Sequence, residues 1–450
     1  MSNFRPINRD TGFLLPPSVD EWLPQRHLAR FVVEVVDQLE LAEFEKAYRG
    51  SGSASYHPAM LLSLLIYGYA TRVFSSRALE RATYDSVAFR YIAGNEHPDH
   101  DTIAHFRKRF LGHIEGLFVE VLKLARAMGM LKLGTVALDG TKLHANASRH
   151  SALSHGHAKK LEKQLKREVA QLLRLAEQAD AAELPDGMSI PEELARREQR
   201  LAAIGEAKAK IAARVHERED AVYQAKLAAR EERQKRTGKK PPGRPPAAPS
   251  GRIEDHEQIN LTDEDSRIMP VAGGGFDQCY NAQAAVATDS LLIVAHGLTP
   301  AANDKQQLAP MLDPLKALPK GLGRVRRLLA DNGYFSEANV ECCAQAKIEP
   351  LIAIGRETHH AGWRRRFAPA PKAPPPTATA LERMAHRLKT PAGRKLYALR
   401  KQTPEPVFGS IKAAMGFRQF LLRGLPNVRG EWNLVAMSWN IKRMFALQPV

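Results

Sequence analysis

Apolar residues recur at helical spacing through the first part of the chain, and this pattern predicts a bundle of helices. The apolar stripes cover residues 28–39, 58–72, where a proline stands near the first turn, 75–94 and 101–131. We therefore expect residues 1–131 to form an all-helical domain.

After Ser151 the composition changes, and the pattern predicts two further helices. In residues 158–179 and 194–222 the apolar side chains repeat at spacings of three and four, and the segment between them carries helix stop and start signals. An antiparallel helical hairpin over residues 151–230 is the simplest product. Residues 231–255 follow as a basic, proline-rich linker, because such a composition does not fold alone.

Beyond the linker the pattern changes to strands. Residues 280–300 predict two strands joined by a Thr-Asp-Ser turn, and a further strand ends near Ala330. Helical spacing returns over residues 303–318, 404–415 and 429–447. Strands on both sides of a helical insertion predict one α/β domain that the hairpin interrupts.

Composition narrows the class of protein. The 450 residues contain no apolar run near the roughly 18 residues of a membrane span and no signal-peptide pattern, which predicts a cytoplasmic protein without a membrane partner. The three cysteines lack a metal-ligand spacing.

The chain is strongly basic. Lys and Arg number 66 against 49 Asp and Glu, a net charge of +17. Such an excess favours a polyanionic partner, because each phosphate that Lys or Arg contacts releases counterions. An unspecific basic surface is the alternative.

Two basic segments are candidates for contact with DNA. Arg107, Lys108 and Arg109 lie among short helices that are compatible with a helix-turn-helix, although a helical domain with a solvated basic face is an equal alternative. In the linker, Arg244 stands in a Gly-Arg-Pro core flanked by lysines, which resembles an AT-hook that inserts an arginine into the minor groove. That match is three residues long, so a plain linker is favoured.

Two aspartates follow apolar strand-like runs. Asp139 comes after residues 136–138, and Asp331 ends the strand that reaches Ala330. Adjacent parallel strands would bring both carboxylates to one edge of the sheet, where a divalent cation would compensate their mutual repulsion. Each aspartate taken alone is more often the start of a turn.

A third carboxylate stands at the start of a predicted helix. Thr403 is a candidate N-cap, Glu405 falls in the first turn and Lys412 lies two turns later, so one helix presents a metal ligand and a phosphate ligand. Tyr397 and Arg400 would add a phosphodiester clamp. A glutamate that only complements the helix dipole is the alternative.

Three polar residues have weaker signals. Asn281 and Gln283 alternate on one face of a predicted strand, where they either line the cleft or make interior hydrogen bonds. Asp304 is interpreted as a helix N-cap.

Together these blocks resemble the DDE transposases of bacterial insertion sequences, and in particular the subgroup called insertion sequence eleven-eighty-two. YHPAMLLSLLIYGYATRVFSSRALE and HPDHDTIAHFRKRF resemble the N-terminal helical domain of that family. The blocks DGTKLHANAS, CYNAQAAV, ADNGYFSE, EPVFGSIK and RGEWNLVAMSWNIKRM resemble its catalytic domain. In the family the glutamate lies in a Y-x2-R-x3-E-x6-K block, and here the segment from Tyr397 to Lys412 has one residue more before Glu405.

The resemblance implies an RNase H-like catalytic domain over residues 132–150 and 256–450. In it Asp139 leaves the first strand, Asp331 the fourth and Glu405 a following helix. The aspartates are 331 − 139 = 192 positions apart, and the insertion explains this separation. All three are implied as catalytic and metal-binding residues that hold two Mg²⁺ ions, for which Mn²⁺ can substitute.

The implied reaction is cleavage at the ends of the insertion sequence and transfer of the freed 3′-hydroxyl groups into target DNA. The implied partners are the terminal inverted repeats, target DNA and a second copy of the chain on DNA, in association with the nucleoid. A non-catalytic DNA-binding protein derived from a transposase and a structure-selective nuclease of similar fold are the alternatives.

Overall fold

The computed structural model describes residues 18–48, 55–178, 189–240, 242–355 and 371–448. The chain divides into two compact units, of which the larger combines Met1–Ala145 with Cys279–Val450 and the smaller is Asn146–Gln278. The chain therefore leaves the larger unit once and returns to it once. No helix within the described ranges has both the length and the apolarity needed to cross a membrane.

The N-terminal part of the larger unit is helical, as predicted. Its helices are α1 (Val19–Trp22), α2 (Leu28–Val36), α3 (Ala42–Lys46), α4 (Pro58–Ala70), α5 (Ser76–Asp85), α6 (Val87–Ile92) and α7 (His100–Ala127). The run over residues 75–94 forms two helices rather than one, because the backbone of Ser86 is extended (φ −119°, ψ 123°). Asp99 caps α7 by accepting from the backbone N–H of Thr102.

The last helix, α15 (Leu425–Leu447), packs on both α4 and α7. The N-terminal helices consequently belong to the same unit as the sheet, and this division differs from the predicted limit at residue 131. Glu431 of α15 is fully buried and accepts a hydrogen bond from the Tyr69 hydroxyl at 2.8 Å. The backbone N–H groups of Leu421 and Leu422 donate to the same carboxylate at 3.0 Å.

Within the described residues the main sheet has six strands, which are β1 (Thr135–His144), β4 (Arg267–Pro270), β5 (Phe276–Ala287), β6 (Ile293–Thr299), β7 (Arg327–Ala330) and β8 (Glu349–Ile352). Their order is β4-β5-β1-β7-β8, and β6 pairs with β5 beside this path. β5 is antiparallel to β1 and β6, β7 is parallel to β1, and β8 is parallel to β7. The predicted strands over residues 280–300 and the strand end at Ala330 are confirmed.

Helices cover both faces of this sheet. They include α10 (Leu308–Ala317), α11 (Glu337–Gln345), α12 (Ala380–Lys389), α13 (Pro391–Ala398) and α14 (Pro404–Ala413). On one face Ala137 and Leu329 pack in a cluster with Tyr397 of α13. The indole N–H of Trp432 in α15 donates to the backbone oxygen of Gln283 in β5 at 3.2 Å. On the other face Met311 of α10 packs against Gly297 of β6, the cross-strand partner of Gln283.

The smaller unit is built on two long helices, α8 (His155–Gln178) and α9 (Ile190–Thr237), with the short strands β2 (Ala152–Ser154), β3 (Gln258–Asn260) and β4 (Arg267–Pro270). Leu165, Ile204, Ile211 and Val215 contribute to its buried core. The predicted turn between the helices, residues 183–193, lies largely outside the described residues.

Helix α9 is longer than the sequence pattern indicates. It continues to Thr237, so residues 231–237 belong to the helix and not to a linker. The reason is local: these positions hold mostly good helix formers, and the helix ends only at Gly238, which takes the left-handed conformation (φ 66°).

Candidate active site

Asp139 lies in the middle of β1. The prediction that it ends a strand is wrong for the side of β1 that pairs with β5. β1 continues to His144 because it pairs with β5 as far as Cys279. Its parallel pairing with β7 ends earlier, at Ala137 opposite Leu329. The sheet therefore opens toward β7 just before Asp139.

Asp331 follows β7 directly and is carried by a tight turn. When the parallel register is continued by two positions, Asp331 falls opposite Asp139, and residues in register on parallel strands face the same side. The Asp331 carboxylate accepts from the backbone N–H of Gly333 at 2.8 Å and thereby caps the 3₁₀ turn Asn332–Tyr334. The fold thus brings these two predicted residues together at the opened edge.

The surroundings of Asp139 oppose its ionisation. Burial raises the pKa of Asp139 to about 7, and the charges of Asp331 and Asp304 raise it as well. The N–H of Gly140, at 2.8 Å from the carboxylate, and the positive charge of Arg400 act in the opposite direction. Asp139 therefore ionises only near neutral pH.

Glu405 stands apart from the aspartate pair. It occupies the first turn of α14 with its side chain 55% exposed, and its carboxylate lies 3.8 Å from a guanidinium nitrogen of Arg400, whose side chain is 13% exposed. Within the described ranges no three Asp, Glu, His or Cys side chains are grouped so that they would hold a metal ion. Arg400 thus interacts with both Glu405 and Asp139.

The chemistry of the aspartate pair fits one divalent cation. Two neighbouring carboxylates, one of them with a raised pKa, are oxygen ligands of the kind that Mg²⁺ binds, and a cation would relieve their repulsion. A site with three carboxylates requires in addition that Glu405 separate from Arg400.

Two predicted DNA ligands make contacts inside the domain. Tyr397 is buried in the cluster with Ala137, and the guanidinium of Arg400 lies 5.9 Å from the centre of its ring. The ammonium group of Lys412 donates to the Thr141 hydroxyl at 2.5 Å and to the backbone oxygen of Lys142 at 2.9 Å. Lys412 therefore attaches α14 to β1 two residues beyond Asp139.

The start of α14 differs in one detail from the prediction. Pro404 takes the first helical position, but the side chain of Thr403 does not cap the helix. Its hydroxyl donates instead to the backbone oxygen of Leu399 at 2.7 Å. The buried position of Thr403 explains this, since the preceding 3₁₀ turn supplies the nearer acceptor.

Asp304 is not a helix N-cap. Helix α10 begins after Gln307, and the Asp304 carboxylate accepts from the side-chain amides of Asn281 and Gln283, both at 2.7 Å. Asn281 and Gln283 are buried, so interior hydrogen bonding is the correct one of the two predicted roles.

The ammonium group of Lys142 lies 3.8 Å from Asp304. Burial lowers the pKa of Lys142. Although Lys142 stands three positions after Asp139, no sequence pattern indicated it as a site residue.

The basic residues of the N-terminal domain differ in accessibility. Arg107 is buried and donates to the backbone oxygen of Phe74 at 3.2 Å. Lys108 is exposed. Arg109 is exposed as well, with its guanidinium 5.4 Å from the centre of the Tyr48 ring. Lys108 and Arg109 are consequently the members of this group that a DNA backbone can reach.

Arg244, in the smaller unit, is exposed and lies in the segment that follows α9. The backbone oxygens of Gly243 and Arg244 accept hydrogen bonds from the guanidinium of Arg230, at 2.8 and 3.4 Å. The Gly-Arg-Pro core is thus attached to the end of α9 by its backbone, which leaves the Arg244 side chain toward solvent.

Two family models match the chain. One, described as a transposase domain (DUF772), matches residues 17–109, and the other, described as a transposase DDE domain, matches residues 372–445. No curated protein and no solved structure matches the chain significantly. Both matches are to transposase domains, and they cover the N-terminal helices and the C-terminal helical part of the chain. They are consistent with a DDE transposase of an insertion sequence, and the resemblance to that family is confirmed. The second match contains Glu405, while Asp139 and Asp331 lie outside both.

Proposed function

We propose that this transposase cleaves DNA at the ends of an insertion sequence and joins the freed 3′-hydroxyl groups to target DNA, with Asp139 and Asp331 at the centre of the site. The observation that carries the proposal is the aspartate pair: Asp139 on β1 and Asp331 just after β7 fall opposite each other when the parallel register is continued, at an opened sheet edge. An RNase H-like assignment is supported by the same topology. The first strand, β1, carries one aspartate, β7 lies parallel beside it, and the other aspartate follows β7.

Transposase DDE domains typically use a divalent metal. Asp139 and Asp331 are the residues that would hold it here, with Mg²⁺ as the natural ion and Mn²⁺ as a substitute. The ion would activate the attacking oxygen and stabilise the leaving oxygen at the scissile phosphate.

Glu405 completes the site only when Arg400 releases it. A phosphate group of bound DNA is a better partner for a guanidinium than an exposed carboxylate 3.8 Å away, so DNA is expected to take Arg400 and free Glu405. The two-ion site implied by the family needs this third carboxylate. Lys412 supports the arrangement, because its bonds to Thr141 and Lys142 hold the helix of Glu405 against the strand of Asp139.

Transposases act on DNA, and the net charge of +17 is consistent with such a partner. We propose Lys108, Arg109 and Arg244 as backbone contacts, because their side chains are exposed. We further propose that the protein acts on paired terminal repeats as a homodimer, in association with the nucleoid. Arg107 contributes to the helical core in this conformation.

The test uses DNA that carries the element's inverted repeats. Asp139→Asn, Asp331→Asn and Glu405→Gln are expected to abolish Mg²⁺-dependent nicking and joining while binding of the repeats, measured by gel shift, persists. Asp313→Asn is the matched control, because Asp313 is 79% exposed on α10 and belongs to no part of the site. Cleavage by all three site variants at the rate of the control would show that the assignment is wrong.

Among the described residues no three carboxylate, histidine or cysteine side chains are grouped to hold a metal ion, and this favours a second candidate, a DNA-binding protein without catalysis. This function predicts that the wild type protects the repeats but cuts in neither Mg²⁺ nor Mn²⁺. A structure-selective nuclease would cut without joining, so the strand-transfer product distinguishes it from a transposase.

A further inference from the structure

A buried network of polar side chains lies beneath the aspartate pair, on the other face of the sheet. Tyr334 closes the turn that Asp331 begins, and its hydroxyl donates to the side-chain oxygen of Gln283. The amide nitrogen of Gln283 donates to Asp304 at 2.7 Å and to the side-chain oxygen of Asn281 at 3.1 Å. Asn281 in turn donates to Asp304 at 2.7 Å. The hydrogen bonds therefore lead from the Tyr334 hydroxyl through Gln283, directly or by way of Asn281, to the Asp304 carboxylate.

Tyr334 is suited to its position as a donor. It is fully buried, and burial together with the charges of Asp304, Asp139 and Asp331 raises its pKa well above the usual value. The hydroxyl therefore keeps its proton. A reversed Gln283 amide would place its N–H₂ group against this donor and its oxygen against a carboxylate, so the orientation of Gln283 is fixed.

The network touches β1 at the residue that follows Asp139. A Cβ atom on Gly140 would lie 2.3 Å from the amide nitrogen of Gln283 and 2.7 Å from the Asp304 carboxylate. The glycine is therefore required for this close approach. Because the N–H of the same glycine donates to the Asp139 carboxylate, one peptide unit connects the network with the first aspartate.

A second link joins the turn of Asp331 to the loop of Asp304. The side-chain amide of Asn339 donates to the backbone oxygens of Tyr334 and Lys305, both at 2.7 Å. The turn after β7 is thus held by its tyrosine hydroxyl and by its backbone.

We propose that Gln283 and Tyr334 are positioning residues that fix Asp331 relative to Asp139 and thereby set the affinity of the aspartate pair for a divalent cation. Gln283 binds the turn of Asp331 through the Tyr334 hydroxyl and contacts β1 at Gly140. Neither residue faces the cation or the DNA. The inference rests on the proposed function, because it takes the aspartate pair to be the metal site.

The experiment measures Mn²⁺ binding to the full-length protein without DNA, by electron paramagnetic resonance. Tyr334→Phe and Gln283→Met are each expected to weaken binding by about tenfold, in the range seen when residues behind metal ligands are replaced. Gly140→Ala is expected to weaken binding at least as much, because the added methyl group displaces Gln283 and Asp304 together.

Tyr69→Phe is the matched control. It removes one buried tyrosine hydroxyl bond, to Glu431, in the helical part of the same unit. Its melting temperature is expected to fall about as far as that of Tyr334→Phe, while its Mn²⁺ affinity stays at the wild-type value. In nicking assays at low Mg²⁺, Tyr334→Phe and Gln283→Met are expected to need more metal for half-maximal rate, and Tyr69→Phe is not.

The outcomes separate this inference from the proposed function. If Asp139→Asn abolishes Mn²⁺ binding while Tyr334→Phe and Gln283→Met bind like the control, the positioning inference is wrong and the metal site stands. If Asp139→Asn and Asp331→Asn bind Mn²⁺ as the wild type does, the metal site itself is misplaced.

Discussion

Replacement of Asp139 by asparagine is expected to stabilise the protein at neutral and alkaline pH in the absence of metal. Asparagine keeps an oxygen for the N–H of Gly140 but carries no charge. The pKa of Asp139 rises from 3.8 to about 7 on folding, mainly through burial, so the folded state resists ionisation that the unfolded chain undergoes freely. Ionisation of Asp139 therefore lowers the free energy of unfolding of the wild type. This loss is absent below pH 4, grows as the pH rises from about 4 to about 7, and is then constant at no more than about 4 kcal/mol.

The assay is urea unfolding of wild type and Asp139→Asn between pH 4 and pH 8, with a chelator present. The free energies of unfolding should converge at the acidic end and separate toward pH 8, with the variant more stable. Asp313→Asn, at an exposed carboxylate, should show no such separation. Added Mg²⁺ should narrow the gap at pH 8, because it stabilises the ionised pair. A variant that is less stable than wild type at pH 8, or a gap that does not change with pH, would refute this account of the electrostatics.

Two further predictions concern the fold. Glu431→Ala should lower the free energy of unfolding by about 3 kcal/mol or more, because the Tyr69 hydroxyl and two backbone N–H groups lose a buried acceptor; urea unfolding measures this loss, and a change below about 1 kcal/mol would contradict it. Replacement of Asn146–Gln278 by an Asn-Gly dipeptide should leave the larger unit folded, since His144 and Cys279 are cross-strand partners and a three-residue loop that ends in glycine can join them. Circular dichroism and a cooperative melting transition test this, and an aggregated or unfolded product would contradict it.

Elements that depend on neighbouring residues could be predicted from the sequence. The end of β7 at Ala330 and the helix that begins at Pro404 follow from apolar alternation and from a proline in the first turn. The strands β5 and β6 follow in the same way, because their turn is short and polar. In each case the signal lies within the element itself.

Contacts between distant residues could not be predicted in this way. Gly140 and Gln283 are 283 − 140 = 143 positions apart, and only the register of β1 on β5 shows that the glycine makes room for the amide. For the same reason the sequence did not show that Asp139 lies inside its strand. The strand that pairs with β1 beyond Asp139 is β5, which follows the smaller unit in the chain. Asp304 resembled a helix cap because a single sequence does not show which distant amides it accepts from.

The segment before Glu405 places this residue beside Arg400. Arg400 lies in a 3₁₀ turn, Leu399–Gln402, and Thr403 bonds back to that turn instead of capping α14. Across this turn Arg400 and Glu405 come to 3.8 Å from each other. In the proposed arrangement the sheet and its buried network position the aspartate pair, whereas the position of Glu405 depends on a local turn and on one guanidinium. If the aspartate pair is the metal site, as proposed, we expect the protein to hold both aspartates in place and to recruit Glu405 when DNA binds Arg400.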